Sequence, residues 1–105
     1  MLKITQENFE TDVLNSEKPV VLDFFATWCG PCRALHPLLV KMENEHPDYV
    51  FAQLDIDESP DLTQTYRIMS VPTVKLFQGG EVKGSLVGAS SESELLGLME
   101  KAAQA

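Results

Sequence analysis

A run of apolar residues leads directly into a cysteine pair, and no other stretch limits the fold of this chain so strongly. Residues 20–26 are apolar on both faces of an extended chain, apart from Asp23. A strand of this kind is typical of the centre of a parallel sheet, because helices cover both sides of such a sheet. The segment from Trp28 to Cys32 contains both cysteines and the only tryptophan. We therefore predict a buried central strand that ends at a cysteine pair.

The residues after the cysteine pair predict an amphipathic helix. Apolar side chains recur at helical spacing in Leu35, Leu38, Leu39 and Met42, and such a stripe faces a core. Pro31 suits the first turn of this helix, where its missing N–H costs nothing. A Cys-x-x-Cys motif between a strand and a helix is typical of a redox site in an intracellular protein.

The remaining chain predicts alternating strands and helices that end in a hairpin. Further strands are expected at 2–4, 49–57, 73–77 and 82–87, and further helices at 6–15, at about 60–66 and after Ser91. Strand–helix–strand units place their strands in parallel, whereas the turn at 78–81 predicts an antiparallel pair. Gly84 either weakens the last strand or marks a bulge in it. The expected fold class is α/β, in a single domain over residues 1–105.

Composition limits the possible partners. The chain has 16 acidic and 8 basic residues, which gives a formal net charge of −8. Nucleic acids and anionic membranes attract clustered Lys and Arg side chains, so we expect neither as a partner. No run approaches the roughly 18 apolar residues of a membrane span, and the first residues lack the pattern of a secretion signal. We expect a cytoplasmic monomer.

The two cysteines have different expected roles in disulfide exchange. A thiolate is the nucleophile in this reaction, and Cys29 precedes a helix whose free N–H groups favour negative charge. Cys29 also lies at the end of the loop, where we expect it to be more exposed than Cys32. Cys29 should therefore attack a substrate disulfide, and Cys32 should resolve the mixed disulfide. Gly30 permits a tight turn, and Pro31 holds the two sulfurs near each other.

Asp23 and Trp28 are the further candidates for functional residues. A buried carboxylate is costly, so we expect desolvation to raise the pKa of Asp23. Its position beneath the start of the helix would allow proton exchange with Cys32, directly or through water; the alternative is a strand position that is wet. Trp28 offers an apolar surface beside Cys29, which either contacts substrate or packs as an ordinary aromatic residue.

Metal binding is the alternative chemistry for the cysteine pair. Cys29, Cys32 and His36 form a C-x₂-C-x₃-H pattern, and His46 would be the fourth ligand. This spacing differs from the usual zinc patterns, and structural zinc commonly takes four ligands. The two histidines would lie roughly 15 Å apart along one helix. The sequence therefore favours redox chemistry without a metal.

The cysteine motif and its surroundings resemble the thioredoxin family. Residues 24–32 are similar to its active-site signature, and Asp23 matches its buried acid. The further matches are Pro37 in the helix, the cis-proline loop Val71-Pro72-Thr73 and the groove glycine Gly88. The similarity covers essentially the whole chain. It implies the thioredoxin fold, a five-stranded mixed sheet flanked by four helices.

The resemblance also implies an activity and partners. Members of the family reduce protein disulfides through a reversible disulfide, here Cys29–Cys32, with no bound cofactor. They are re-reduced by a reductase, usually thioredoxin reductase drawing on NADPH. The resemblance further implies a cis bond at Val71-Pro72 and a loop around Pro72 that presents the substrate. The implied substrate groove consists of Trp28, Val71, Pro72, Thr73 and Gly88.

Three residues depart from the family's usual pattern. Gln53 stands where many bacterial members carry a lysine near the buried acid, so the proton route at Asp23 differs. Phe25 replaces a frequent tryptophan, and Met69 replaces a residue that is often basic. These changes bear on partner choice and on the tuning of pKa values. A hypothesis from another class is a binding subunit that docks partners through the apolar rim of Trp28, Val71, Pro72 and Gly88, irrespective of redox state.

Overall fold

A five-stranded mixed sheet with four helical segments makes up the computed structural model, which describes residues 1–103. The strands are β1 (Leu2–Ile4), β2 (Val20–Phe25), β3 (Val50–Asp55), β4 (Thr73–Gln78) and β5 (Glu81–Val87). The helices are a short π-helix (Glu10–Leu14), α1 (Gly30–Glu45), α2 (Pro60–Thr65) and α3 (Glu92–Ala103). The predicted architecture is confirmed. None of the helices described is both long and apolar enough to cross a membrane.

The strand order brings distant parts of the chain to one edge of the sheet. Across the sheet the order is β1-β3-β2-β4-β5, in which β1, β3 and β2 are parallel. Strand β4 runs antiparallel to β2, with Phe24 opposite Thr73. The end of β2 and the start of β4 therefore lie side by side. Strand β5 returns antiparallel to β4, with Val87 opposite Thr73, so it ends at the same edge.

Side chains of the central strands point alternately into two apolar layers, one on each face of the sheet. Val21 and Phe51 face the layer beneath α1 and α3, which includes Leu39 and Leu98. The neighbouring residues Val20, Leu22 and Phe24 face the other layer, with Phe9 and Val13 near the π-helix. Successive side chains of a strand point to opposite faces. The apolar run in β2 is therefore needed because both of its faces are covered.

The N-terminal helix is shorter than the sequence predicts. The helical pattern suggests residues 6–15, but the structure has a π-helix only at Glu10–Leu14. The Thr5 hydroxyl accepts a hydrogen bond from the Glu7 amide at 3.3 Å, and Asn8 Oδ1 accepts one from the Thr5 amide at 2.7 Å. Such local bonds from Thr and Asn side chains compete with a helix. They hold residues 6–8 in turns.

The sequence predicts a cap at Ser59 and a capping box at Ser91 and Glu94, and these two predictions have different outcomes. Ser91 and Glu94 exchange the two hydrogen bonds of a capping box, at 3.0 and 3.1 Å, as predicted. Helix α2 begins at Pro60 as expected, but the buried Ser59 hydroxyl makes no capping bond. The start of α2 therefore depends on the proline and on packing.

Of the two alternatives at Gly84, the bulge is confirmed. Gly84 pairs with Leu76, whereas the next residue of β4, Phe77, pairs with Val82. A Cβ atom on Gly84 would lie 2.8 Å from Lys101 Cδ and 2.9 Å from Leu98 Cδ1. The absence of a side chain at this residue is what allows α3 to pack closely on β5.

We expect Gly84→Ala to lower the free energy of unfolding by about 1–3 kcal/mol, the range for overpacking a well-packed core. Urea unfolding at pH 7 measures this change. Gly97→Ala is the matched control, because no atom would lie within 4 Å of its Cβ. Within a helix that substitution should stabilise by roughly 0.5–1 kcal/mol. Equal effects of the two substitutions would contradict the proposed packing role of Gly84.

Candidate redox site

The two cysteines close a disulfide at the first turn of α1. Cys29 is the N-cap residue, with extended backbone angles of φ −93° and ψ 113°, and its Cα lies 5.3 Å from that of Cys32. Cys29 Sγ accepts a hydrogen bond from the Cys32 amide at 3.2 Å. A free N–H at a helix start favours negative charge on its acceptor. The helix therefore supports a thiolate at Cys29, as the sequence predicts.

Exposure does not separate the two cysteines. Cys29 is 5% exposed and Cys32 is 4% exposed, so the predicted order holds, but the difference is too small to distinguish the two sulfurs. The loop before β4 covers Cys29, and Cys29 Sγ lies 3.7 Å from the Val71 carbonyl oxygen. The difference between the sulfurs lies in their surroundings: Cys29 faces this loop, whereas Cys32 lines a cavity that also contains Asp23 and opens to solvent.

The loop that carries Pro72 lies against the disulfide because β4 starts beside the end of β2. The Val71–Pro72 peptide bond is cis, as the resemblance implies. The Pro72 carbonyl accepts a hydrogen bond from the Gly88 amide at 2.8 Å, and Gly88 has a φ of 88°, a backbone region that favours glycine. Thr73 Oγ1 donates to the Ser70 carbonyl at 2.8 Å. These bonds fix the loop over Cys29.

Three large apolar side chains are exposed on the segments that lead to the disulfide and to the Val71 and Gly88 loops. Trp28 is 66% exposed, Val87 is 68% exposed and Met69 is 92% exposed. Pro72 and Thr73 are buried, so they shape the loop rather than its surface. Exposed apolar side chains near a reactive group are candidates for contact with a partner.

Asp57 is a residue of the site that the sequence analysis did not identify. Its Oδ2 accepts a hydrogen bond from Trp28 Nε1 at 2.9 Å, which orients the indole ring beside Cys29. The sequence feature that could have identified Asp57 is its position just beyond the carboxyl end of β3, which is parallel to β2. Polar residues beyond parallel strands meet at one edge of the sheet.

A cavity of about 330 Å³ lies beneath the disulfide and contains the buried acid. Side chains from β2, β3 and α1 line it, namely Asp23, Phe25, Ala26, Thr27, Cys32, Arg33, His36 and Gln53. Asp23 and Gln53 are paired across β2 and β3. One water occupies about 30 Å³, so the cavity can hold several. The predicted route from Asp23 to Cys32 through water has the space that it requires.

Burial dominates the electrostatics of Asp23. The residue is 2% exposed, and among residues 1–103 its Oδ1 has no hydrogen-bond partner. Desolvation by burial raises the pKa of Asp23 from 3.8 to about 7. The expected rise is confirmed, and the alternative of a wet strand position is wrong. A carboxyl that titrates near neutrality can both accept and release a proton under physiological conditions.

Two cysteines that reversibly form a disulfide store two electrons in their own sulfur atoms, and the chain is therefore a thiol-disulfide oxidoreductase. The model of the thioredoxin family matches residues 1–101. The chain belongs to the thioredoxin family, whose members use the cysteine pair as their redox group without a further cofactor.

Curated relatives of bacterial origin have similar sequences along most of this chain. A thioredoxin of Streptomyces clavuligerus is 44% identical over 93 residues, which are 89% of this chain and 87% of that protein. A thioredoxin of Mycobacterium tuberculosis is 42% identical over 96 residues, 90% of this chain and 83% of that protein. A bifunctional thioredoxin reductase/thioredoxin of Mycobacterium leprae is 41% identical over 96 residues, 90% of this chain and 21% of that protein.

We expect Asp23→Asn to stabilise the oxidised protein at neutral pH but not in acid. The native pKa of Asp23 is raised, so the unfolded chain loses this proton near pH 4 while the native protein retains it until about pH 7. The contribution of Asp23 to stability is then complete below pH 4 and declines as the pH rises to 7. The free energy of unfolding of Asp23→Asn should exceed that of the wild type by an amount that grows with pH and reaches the order of 4 kcal/mol above pH 7.

Urea unfolding between pH 3.5 and pH 8.5 measures this difference. Asp48→Asn is the control, because Asp48 is exposed in the turn after α1 and its replacement should give a small, nearly constant difference. A difference for Asp23→Asn that does not change with pH would contradict the raised pKa of Asp23.

Proposed function

We propose that this protein reduces disulfides of other proteins by dithiol–disulfide exchange. The observation that carries the proposal is the asymmetry of the two sulfurs: Cys29 faces the Val71 loop at the rim, whereas Cys32 lines the cavity with Asp23. A substrate that docks at the rim meets Cys29 first. Cys32 has a proton acceptor on its inner side.

The exchange starts from the reduced protein with a thiolate at Cys29. Its sulfur attacks one sulfur of the substrate disulfide; a mixed disulfide forms, and the other substrate sulfur leaves as a thiolate. Cys32 then passes its proton to the Asp23 carboxylate, and its thiolate attacks Cys29 Sγ. The Cys29–Cys32 bond forms as the bond to the substrate breaks. Two electrons have passed from the protein to the substrate, whose two sulfurs leave as thiolates and take protons from solvent.

Substrate presentation is the proposed role of the loop around Pro72. Trp28, Val71 and Gly88 would contact an extended substrate segment, while the buried Pro72 and Thr73 hold the loop in position. The Val71 carbonyl oxygen lies 3.7 Å from Cys29 Sγ. A substrate segment bound to this loop would therefore bring its disulfide close to Cys29. Substrates are therefore expected to be proteins with an accessible disulfide next to apolar residues.

A reductase must return electrons to the Cys29–Cys32 disulfide after each cycle. We propose thioredoxin reductase, with NADPH as the electron source. The Mycobacterium leprae relative supports this partner, because its name joins a thioredoxin reductase and a thioredoxin in one chain. An assay with NADPH, a bacterial thioredoxin reductase and insulin as the disulfide substrate tests the whole cycle.

We expect Cys32→Ser to accumulate a mixed disulfide with the substrate, because the resolving sulfur is missing, whereas Cys29→Ser should accumulate none. Incubation of each reduced variant with insulin, followed by alkylation and intact-mass measurement, counts the adducts. Adducts on Cys29→Ser and none on Cys32→Ser would reverse the assigned roles.

The double variant Cys29→Ser, Cys32→Ser separates the reductase from a binding subunit. The rim of Trp28, Val71, Pro72 and Gly88, in which Trp28 is 66% exposed, makes redox-independent docking worth testing. The reductase proposal requires that this variant loses all insulin reduction. A double variant that restores growth to a cell lacking the wild-type protein would instead support the binding subunit.

We expect Asp23→Asn to lengthen the lifetime of the mixed disulfide about 10–100-fold at pH 7, since a positioned base commonly contributes about 10²–10⁴-fold and water can partly replace it. The effect should shrink above pH 9, where hydroxide removes the Cys32 proton. Rapid acid quench after mixing with substrate measures the lifetime. An unchanged pH profile would remove Asp23 from the proton route.

A further inference from the structure

Arg67 has a backbone conformation that usually belongs to glycine. Just past the end of α2, the Arg67 amide donates a hydrogen bond to the Gln64 carbonyl, and the Ile68 amide donates one to the Thr63 carbonyl, both at 3.0 Å. This pair of bonds is the Schellman motif, whose first residue after the helix cap is commonly a left-handed glycine. Arg67 has a φ of 53°, whereas the other residues of 1–103 with a positive φ are glycines. A side chain in this conformation costs stability, so its presence requires a reason outside the helix.

The guanidinium of Arg67 is exposed and forms no ion pair among residues 1–103. It is the only basic residue of the segment 55–72, which contains four acidic ones. Carboxylates of this segment bind elsewhere: Asp57 accepts a hydrogen bond from Trp28 at 2.9 Å, and Glu58 pairs with Lys3 at 3.3 Å. The positive charge of Arg67 is therefore available to a carboxylate from another molecule.

A groove beside this residue leads to the redox site. Its volume is about 490 Å³, and apolar side chains supply much of its lining, namely Ile56, Pro60, Ile68 and Met69. Asp57 also lines the groove, and its carboxylate holds the Trp28 indole. Met69 is two residues before Val71, whose carbonyl oxygen lies 3.7 Å from Cys29 Sγ. A chain segment that lies along the groove would therefore end beside Cys29.

We propose that this groove is a substrate subsite in which Arg67 pairs with a carboxylate of the substrate protein. The apolar lining takes a neighbouring apolar side chain of the same segment. This inference rests on the proposed reductase function and names the class of substrate that it prefers. Arg67 and Val71 are four residues apart, at most about 14 Å, and an extended segment advances about 3.3 Å per residue. The carboxylate should therefore lie within about four positions of the substrate cysteine that Cys29 attacks.

The net charge of the protein makes this pairing selective. With a formal charge of −8, the protein repels acidic substrates in general. Arg67 provides one point beside the redox site at which a carboxylate is attracted and a lysine is repelled. Charge pairs of this kind fix the register of a bound segment and suppress the wrong partners.

Exchange with synthetic peptides measures the preference. Each peptide carries one cysteine bonded to thionitrobenzoate, and Glu, Gln or Lys at one position on either side, within about four residues of that cysteine. Cys29 of the reduced protein attacks the peptide sulfur; a disulfide forms between them, and thionitrobenzoate leaves as a coloured thiolate. Its release at pH 7 and low salt gives a second-order rate constant for each peptide.

The Glu-to-Gln ratio of these rate constants should be about two- to fivefold higher for the wild type than for Arg67→Gln, the range for an exposed ion pair. Comparing the two proteins removes the general repulsion of acidic peptides. Arg67→Glu should instead favour the Lys peptide. Sodium chloride at about 0.5 M should reduce both preferences, because salt screens exposed charges.

Lys18→Gln is the matched control for the loss of one positive charge. Lys18 lies before the start of β2, about 20 Å along the strand from the redox site, and its Nζ donates to the Pro47 carbonyl. Its Glu-to-Gln ratio should equal that of the wild type. A ratio that is the same in the wild type and Arg67→Gln would overturn the proposal, as would an equal fall in Lys18→Gln.

Arg67→Gly separates a binding role from a structural one. This variant should lose the Glu preference and yet unfold at a higher urea concentration than the wild type, because its φ favours glycine. Unfolding at a lower urea concentration would show that the Arg67 side chain packs for stability, which would overturn the argument for a substrate contact.

Insulin reduction distinguishes failure of this proposal from failure of the reductase function. If the reductase function fails, the wild type does not reduce insulin and Cys32→Ser traps no mixed disulfide. If the Arg67 proposal alone fails, both of those results remain and the peptide ratios are the same in the wild type and Arg67→Gln. Unchanged ratios together with a higher KM of thioredoxin reductase for Arg67→Gln would assign the groove to the reductase and overturn the substrate proposal.

Discussion

The antiparallel pairing of β2 with β4 is the constraint on which this site depends. Because Phe24 lies opposite Thr73, the chain that enters β4 must pass the point where the chain leaves β2. That crossing brings the Val71 carbonyl within 3.7 Å of Cys29, although 42 residues separate them. If β4 ran in the other direction, the loop would lie at the opposite edge of the sheet. The loop that carries Val71 would then not cover Cys29.

The same sheet sets a conflict between stability and chemistry at Asp23. Its neighbours along β2, Leu22 and Phe24, are fully buried and contribute the apolar packing that a central strand supplies. A carboxyl between them weakens the strand as soon as it ionises. The burial that carries this cost also moves the pKa of Asp23 to about 7, where a proton acceptor for a thiol is effective. Residues at functional sites commonly oppose stability in this way.

Local patterns in the sequence predicted much of the fold, because they report which faces are buried. The continuous apolar run in β2, the stripe in α1 and the Ser91–Glu94 capping box are properties of short segments, and each is present in the structure. The N-terminal helix was predicted too long, because Thr5 and Asn8 form local hydrogen bonds with the backbone. Apolar spacing alone does not contain that competition.

The site was predictable where a residue acts through its own chemistry, and less so where it acts through position. The cysteine motif and the acid in an apolar strand could be recognised from the sequence alone. The contact of Asp57 with Trp28 depends on strand order, which no local pattern describes. The same holds for the burial of Cys29: a loop distant in sequence covers it, so its place at the end of a turn overstated its exposure.

The hydrogen bond between Trp28 and Asp57 has an optical consequence. The chain has one tryptophan, and its indole is held next to the disulfide by the 2.9 Å bond to Asp57. Any tryptophan emission from this protein therefore originates beside the redox centre, with no second fluorophore of that kind to mask it. Reduction, docking of a partner on the rim and a change in the charge of Asp57 all act on that single ring. The protein carries a built-in, label-free reporter of its own active site.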